Sequence, residues 1–327
     1  MMKPSRRTLI TCLTVAAGVL LSLSSSALAG APFANTQAPG WYRMSLGDFE
    51  VTALSDGTFS SVPIEKMLTG ITPAKVDAAL TTAYMKPPFE TSVNCFVINT
   101  GSKLVMIDAG AGSLFGPTLG KMLASLKASG YQPEQIDEIY ITHMHADHVG
   151  GLVSNGKLVF PNAVVRAGKA DADYWLSKEN LDKAPDAMKD FFRGAQASLN
   201  PYVAAGKFKP IEGEVELVPG IRAIPANGHT PGHTIYEVQS NGQKLVTWGD
   251  LMHIAAIQFP DPSVTVQFDS DAKKAAAARK KAFAEAAKQG SFASVAHVSF
   301  PGIGQLRPDG AGYRWYPVNY SNSSAAK

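Results

Sequence analysis

The chain has 327 residues, of which 30 are Lys or Arg, 27 are Asp or Glu and seven are His, for a formal net charge of +3. Residues 1–30 hold three of the basic residues and no acidic one, so the rest is balanced at 27 against 27, which excludes the basic footprint of a nucleic-acid-binding surface. Of two cysteines only Cys95 lies beyond that segment, which excludes an intramolecular disulfide there and makes Cys95 a small buried hydrophobe of an apolar strand.

From the start, Lys3, Arg6 and Arg7 form a basic head, Leu9 to Leu23 an apolar run and Ala27-Leu28-Ala29 a small-x-small cleavage site, the layout of an export leader over residues 1–29. The apolar run is about 15 residues, short of the roughly 20 that span a bilayer. A periplasmic or secreted protein with no membrane association after cleavage is expected. Ser5-Arg6-Arg7-Thr8-Leu9 reads equally as a twin-arginine signal or as an ordinary basic head. Removing 29 residues leaves 298, enough for one large layered domain. We expect a loose Pro- and Gly-bearing arm over 30–40 and a single domain over 41–327.

Tyr42 to Ala53 alternates and is expected to turn at Ser55-Asp56-Gly57, giving edge strands. Cys95 to Ile98 and Lys103 to Ile107 flank a turn at 99–102. Leu119, Met122, Leu123 and Leu126 recur at helical spacing between Pro117 and Gly130. Glu138 to Thr142 reads as a strand, 167–207 as mostly helical, and Ile221 to Pro225, Thr234 to Ser240 and Lys244 to Trp248 as strands. Ser270 is the expected cap of an alanine-rich helix, Asp271 to Lys288, closed by Gly290.

The strand at 138–142 runs into His143, His145, Asp147 and His148, three imidazoles and a carboxylate within six residues. A core does not tolerate such donor density without a partner, and a metal supplies one. His143 and His145, two apart on extended chain, share a face. Asp147 and His148 follow where the chain turns and can aim elsewhere, which suits two metals better than one. The other histidines, 229, 233, 253 and 297, all come later.

Asn241-Gly242 between alternating runs signals a two-residue type I′ hairpin. Facing residues around it have numbers that sum to 483, as 233 and 250 do, so His233 should face Asp250, with Cβ atoms about 5 Å apart. His229 lies four residues further from the turn and beyond Pro231, which interrupts the ladder. Spacing therefore favours His233 over His229 as a ligand.

The pattern T-H-x-H-x-D-H-x-G-G at Thr142 to Gly151, G-H-T-P-G-H at Gly228 to His233, Gly249-Asp250 and a last His297 resemble the metallo-β-lactamase superfamily. Leu54 to Thr58, Glu90 to Asn94, Asp137 to Gly151 and Phe300 to Gly304 are similar to methyl parathion hydrolases and their lactonase and arylesterase relatives. The resemblance implies an α/β fold, an αββα sandwich of two mixed sheets between helical layers. It implies two divalent metals, zinc by donor type with manganese, iron or cobalt as alternatives: one on His143, His145 and His233, the other on Asp147, His148 and His297, with Asp250 bridging. His229, Asp108 and Asp56 would orient ligands or loops, a turn-stabilising role fitting Asp56 equally well. Phe115, Trp175, Phe191, Phe192 and Phe268 would line the substrate pocket, unless they are core.

The implied activity is opening of lactones and aryl esters by a hydroxide that bridges the metals, with phosphotriester hydrolysis as a side activity or, alternatively, the main one. No Gly-x-Ser-x-Gly elbow offers a competing serine nucleophile. A zinc-binding protein without catalysis is the reading from another class. His253, three residues past Asp250, would act in catalysis and substrate selection or serve as a hydrogen bonder. The parathion-hydrolysing relatives carry an aliphatic residue there, and an imidazole suits a flat ester or lactone carbonyl better than a tetrahedral phosphotriester. Tyr313, Trp315 and Tyr316 suggest a homodimer contact or a terminal strand packed on its own sheet.

Overall fold

The structure is a computed structural model that describes residues 31–321; the expected leader, with Cys12, lies outside the described residues. Of the unit Met1–Ala38, residues 31–38 are exposed and form neither helix nor strand, and Pro39–Lys327 make a second unit.

Two seven-stranded sheets dominate that second unit. In the first, spatial order follows chain order: Trp41–Leu46, Phe49–Phe59, Thr91–Asn99, Leu104–Ile107, Glu138–Ile141, Val164–Gly168 and Phe208–Ile211. Its first four strands are antiparallel and the rest are parallel. The second sheet runs Val215–Val218, Ile221–Pro225, Thr234–Ser240, Gln243–Thr247, Phe292–Ser294, Ile303–Asp309 and Gly312–Pro317.

Strand alternation builds the layers. On Thr91–Asn99, Phe96 and Ile98 join Val51, Tyr140, Tyr236, Val238 and Leu245 in a core fed by both sheets. Cys95 and Val97 point the other way, to a core shared with helices Met122–Ala128 and Asp186–Ala204. On the far side Trp248, Ala293 and Leu306 pack against Phe283 and Ala286 of the helix Ala272–Gln289. Each sheet thus buries one face against the other and one against helices, the αββα sandwich expected.

The first turn is corrected. It falls at Gly47-Asp48, and Phe49–Phe59 runs straight through Ser55-Asp56-Gly57 with a bulge between Ser55 and Gly57. The bulge sends Asp56 inward, where its carboxylate accepts the N–H groups of Ala111, Gly120 and Met122. A polar Asp-Gly pair mimics a turn in sequence, but here it anchors the 108–122 segment. The helix cap also moves by one: Asp271, not Ser270, accepts the Lys274 N–H, and Ser270 Oγ donates to Gly228 O. At the last strand, Trp315 stacks on Phe259 at 5.2 Å and Tyr313 meets Phe283 of the helix Ala272–Gln289 edge-on, so these two rings pack against helices of their own chain.

The Asn241-Gly242 hairpin has the expected register, Ser240 facing Gln243 and Tyr236 facing Thr247, with positive φ at both turn residues. One residue inserted between them should shift every facing partner and displace Asp250. The expected result is about a hundredfold loss of kcat/KM with a melting temperature changed by only a few degrees. Unchanged turnover would show that Trp248-Gly249, not the turn, sets the position of Asp250.

Candidate metal centre

The site lies where chain ends of both sheets meet. Strand Glu138–Ile141, fully buried from Ile139 onward, ends at Thr142, whose N–H and Oγ1–H both donate to Asp108 at 2.8 Å. His143 and His145 follow, and Ala146–Val149 makes one helical turn that carries Asp147 and His148. That turn can lie on the 109–111 backbone only because Gly150 and Gly151 lack a Cβ, which would fall 2.0 and 1.9 Å from Ala111 O and Ala109 O. The close approach sets Asp108 under His148, with Nδ1 to Oδ2 at 2.8 Å. His297 enters from beyond strand Phe292–Ser294, its Nδ1 bonded to Ser92 O at 2.8 Å. Asp250 is delivered by Gly249, at φ +53°, where a Cβ would lie 2.7 Å from Thr142 and 2.9 Å from His233 Nε2.

Three overlapping buried donor groups result among the described residues: His143, His145, His229 and Asp250; Asp147, His148 and His297; and Asp250, His253 and His297. In the first, His145 Nδ1 is 3.0 Å from His143 Nε2 and 3.1 Å from His229 Nε2. Asp250 Oδ2 is 3.6 Å from His143 Nε2 and 3.4 Å from His229 Nε2. In the second, Asp147 Oδ2 lies 3.5 Å from both His148 and His297 Nε2, and Asp250 Oδ1 lies 3.2 Å from both. Asp250 therefore reaches both groups, Oδ2 alone facing the first and Oδ1 facing the second, with His297 Nε2 3.2 Å from either oxygen.

These distances fit metal ions. Tetrahedral ligands about 2.0–2.1 Å from zinc stand about 3.3 Å apart, the spacing seen here. His148 Nε2 and Asp250 Oδ1 are buried without a hydrogen bond, which is costly unless a cation completes them. Burial, with His148 and His229 as the leading neighbours, holds the His143 and His145 pKa values well down, so these rings present lone pairs. Burial alone would raise the Asp250 pKa, but His297 and His148 outweigh it and keep the carboxylate ionised. The donor clusters fit a binuclear site, and imidazoles with carboxylates suit several divalent metals.

One ligand assignment is corrected. His229, not His233, joins His143 and His145. The hairpin arithmetic did bring His233 to Asp250, but to its backbone: His233 Nε2 accepts the Asp250 N–H at 3.1 Å. The last paired residue is Thr247, after which the left-handed Gly249 turns the carboxylate away from the ladder. The 228–233 loop folds on itself through Gly228 N–H and His233 N–H to Thr230 O, which swings His229 beside His145.

Asp269 is a site residue the sequence did not reveal. Its Oδ1 bonds His229 Nδ1 at 2.9 Å, and its Oδ2 accepts the Val266 N–H. It fixes the tautomer that leaves His229 Nε2 free to ligate, and only its position before the cap of the 272–289 helix was visible in the sequence.

A cavity of about 330 Å³ opens on the donors and is walled by Phe59, Phe115, Phe191 and Phe268, with His253 among its polar lining. Of the expected wall residues, Trp175 and Phe192 are corrected. Both are buried in the helical core, Trp175 edge-on behind His145 at 5.4 Å and Phe192 packed on Trp175 at 4.7 Å. Helix Asp186–Ala204 turns adjacent Phe191 and Phe192 to different sides, so only one reaches the cavity. His253 Nε2 is 3.1 Å from Asp250 Oδ2, and its ring stacks on His297 at 5.4 Å.

Residues 88–289 match the family model of the metallo-beta-lactamase superfamily. The chain belongs to the metallo-β-lactamase superfamily. It is 28% identical over 174 residues to an N-acyl homoserine lactonase of a Bacillus species, covering 47% of this chain and 61% of that one, so part of the relative lies outside the match. A Bacillus thuringiensis N-acyl homoserine lactonase matches at 27% over 195 residues, 53% of this chain and 68% of the relative. Among solved structures, the hydrolase AbOPH is 37% identical with TM-score 0.82, covering 88% of this chain and all of that one. AidC, a dizinc quorum-quenching lactonase in complex with a product, is 27% identical with TM-score 0.79 over 88% of this chain and all of that one. Superfamily membership and the paired donors together make this chain a metal-dependent hydrolase with lactonase homologues.

Proposed function

We propose that the protein opens lactones and aryl esters at its binuclear site, with phosphotriester hydrolysis as a side activity. The observation that carries this reading is the aromatic cavity that ends on both donor groups and has no Lys or Arg in its lining. A neutral substrate with an apolar arm fits such a wall, while an anionic arm would meet no Lys or Arg along it. Bound metals would polarise the attacked carbonyl and make water a nucleophile at neutral pH.

This chain's own residues do the rest. Asp250 lies between the two donor groups and reaches both with its carboxylate. Asp108, Asp269 and Ser92 O hold the rings of His148, His229 and His297. Phe59 and Phe115, edge-on at 5.1 Å, exclude water from the approach to the cavity floor. Burial lowers the His253 pKa to about 4, so its ring is neutral at pH 7 and Nε2–H donates to Asp250 Oδ2. That ring narrows the cavity beside the Asp250 carboxylate, which would leave room for a planar carbonyl and crowd two alkoxy arms. Resemblance to the methyl parathion hydrolases supports phosphotriester hydrolysis as the competing main activity. The pattern of residues 1–29 supports export, to the periplasm or beyond.

The test is kcat/KM of the metal-loaded protein for dihydrocoumarin, a phenyl ester, an acyl-homoserine lactone and methyl parathion. Lactone and ester should exceed methyl parathion by at least about tenfold, the scale on which a pocket discriminates by shape, and His253→Leu should narrow or reverse the ratio. A wild-type preference for methyl parathion would overturn this reading and make organophosphate hydrolysis the main activity.

A further inference from the structure

Asp171 is fully buried in the first turn of the short helix Lys169–Trp175, away from the cavity lining. Its carboxylate makes three hydrogen bonds. Oδ2 accepts the Met144 N–H at 3.1 Å and the Thr230 Oγ1–H at 2.9 Å, and Oδ1 accepts the Gly232 N–H at 2.5 Å. Met144 lies between the ligands His143 and His145, and Thr230 directly follows the ligand His229. The three donors therefore come from the two loops that carry the first imidazole group, and among the described residues no Lys or Arg pairs with the carboxylate. Gly232 has no room for a side chain, since a Cβ there would fall 2.3 Å from the Asp171 N.

We propose that Asp171 is a positioning residue which clasps the 143–145 and 228–233 loops together and so sets the spacing of His143, His145 and His229 for one of the two metals. The other group has supports of its own: His148 is held by Asp108, His297 by Ser92 O, and Asp147 rides on the helical turn Ala146–Val149, whose backbone bonds to the clasped loop run through His145 O. Loss of the clasp should therefore weaken one metal and spare the other. A general supporting role in the core would weaken both together. Ionised Asp171 satisfies three donors, whereas Asn can accept on one side only and would set its NH2 against a donor on the other. Burial raises the Asp171 pKa to about 6, with the Thr230 hydroxyl and the Gly232 and Met144 N–H groups acting against it.

This inference rests on the binuclear reading, and the experiment separates the two. Zinc is titrated into metal-stripped full-length protein against a chromophoric chelator, giving two stepwise affinities for wild type, Asp171→Asn and Thr230→Val, with a circular dichroism melt of each. Wild type that binds fewer than two zinc ions would overturn the binuclear reading itself. With two bound, Asp171→Asn should weaken one step by about 10–100-fold, the usual cost of losing a partner behind the ligands, and leave the other within threefold. Thr230→Val, which removes one of the three bonds without changing shape, should weaken the same step less, and it decides the matter if Asp171→Asn does not fold. In a His145→Ala background, where the clasped group is already broken, Asp171→Asn should not change the remaining zinc affinity. Two unchanged steps, or two steps that fall equally, would overturn the role assigned to Asp171.

Discussion

Asp250→Ala is expected to abolish measurable turnover, at least about a thousandfold and so at or beyond the upper range for removing one preorganised electrostatic group, and to bring bound metal below two ions per chain. Among the described residues Asp250 is the side chain that reaches both donor groups, Oδ2 near His143 and His229 and Oδ1 against His148, with His297 3.2 Å from either oxygen. Without it the groups are no longer tied, and His253 Nε2 loses its partner. The backbone should persist, because the Asp250 N–H still bonds His233 Nε2 and the carboxylate takes part in no core cluster. Elemental analysis of the purified variant, a melting curve and kcat/KM on dihydrocoumarin check all three points. Full activity with two metals per chain would refute the bridging role.

How much of this was legible in the sequence follows from what sequence spacing can encode. Strands Ile221–Pro225 and Thr234–Ser240 coincide with their expected limits because turn residues bound them, Gly220 before the first and Asn241-Gly242 after the second. The donor cluster at 143–148 was legible because its residues adjoin one another. Asp269 and Asp171 were not, since they reach His229 and the 228–233 loop across 40 and 59–61 residues of sequence, and no local pattern records such a contact. Ser55-Asp56-Gly57 has turn composition, and only the tertiary partners Ala111, Gly120 and Met122 turn it into a bulge with a buried carboxylate. Phe191 and Phe192 were inseparable in sequence, since which of two neighbours meets the cavity depends on how helix Asp186–Ala204 is rotated. For His233 the register was right, but pairing rules end with the ladder at Thr247, whereas Gly249 and the folded 228–233 loop decide which imidazole faces the carboxylate.

That contrast gives the second prediction of large effect. His229→Ala should remove one metal and reduce kcat/KM at least about a thousandfold, because it deletes a ligating nitrogen 3.1 Å from His145 Nδ1 in a preorganised site. His233→Ala should keep two metals. Burial, with His229 next, lowers the His233 pKa to about 3, so the ring is neutral and its Nε2 lone pair serves the Asp250 N–H. Its loss leaves that N–H unsatisfied, which costs about 1–3 kcal/mol of stability, and loosens the bridging carboxylate enough to lower kcat/KM by about 10–100-fold. His233→Gln, which restores an acceptor oxygen, should recover part of both losses, while His229→Gln should not restore the second metal. Metal content, melting temperature and kcat/KM on the same four variants decide the assignment. A His233 variant that loses a metal, beside a His229 variant that keeps two, would restore the ligand set first expected from hairpin spacing.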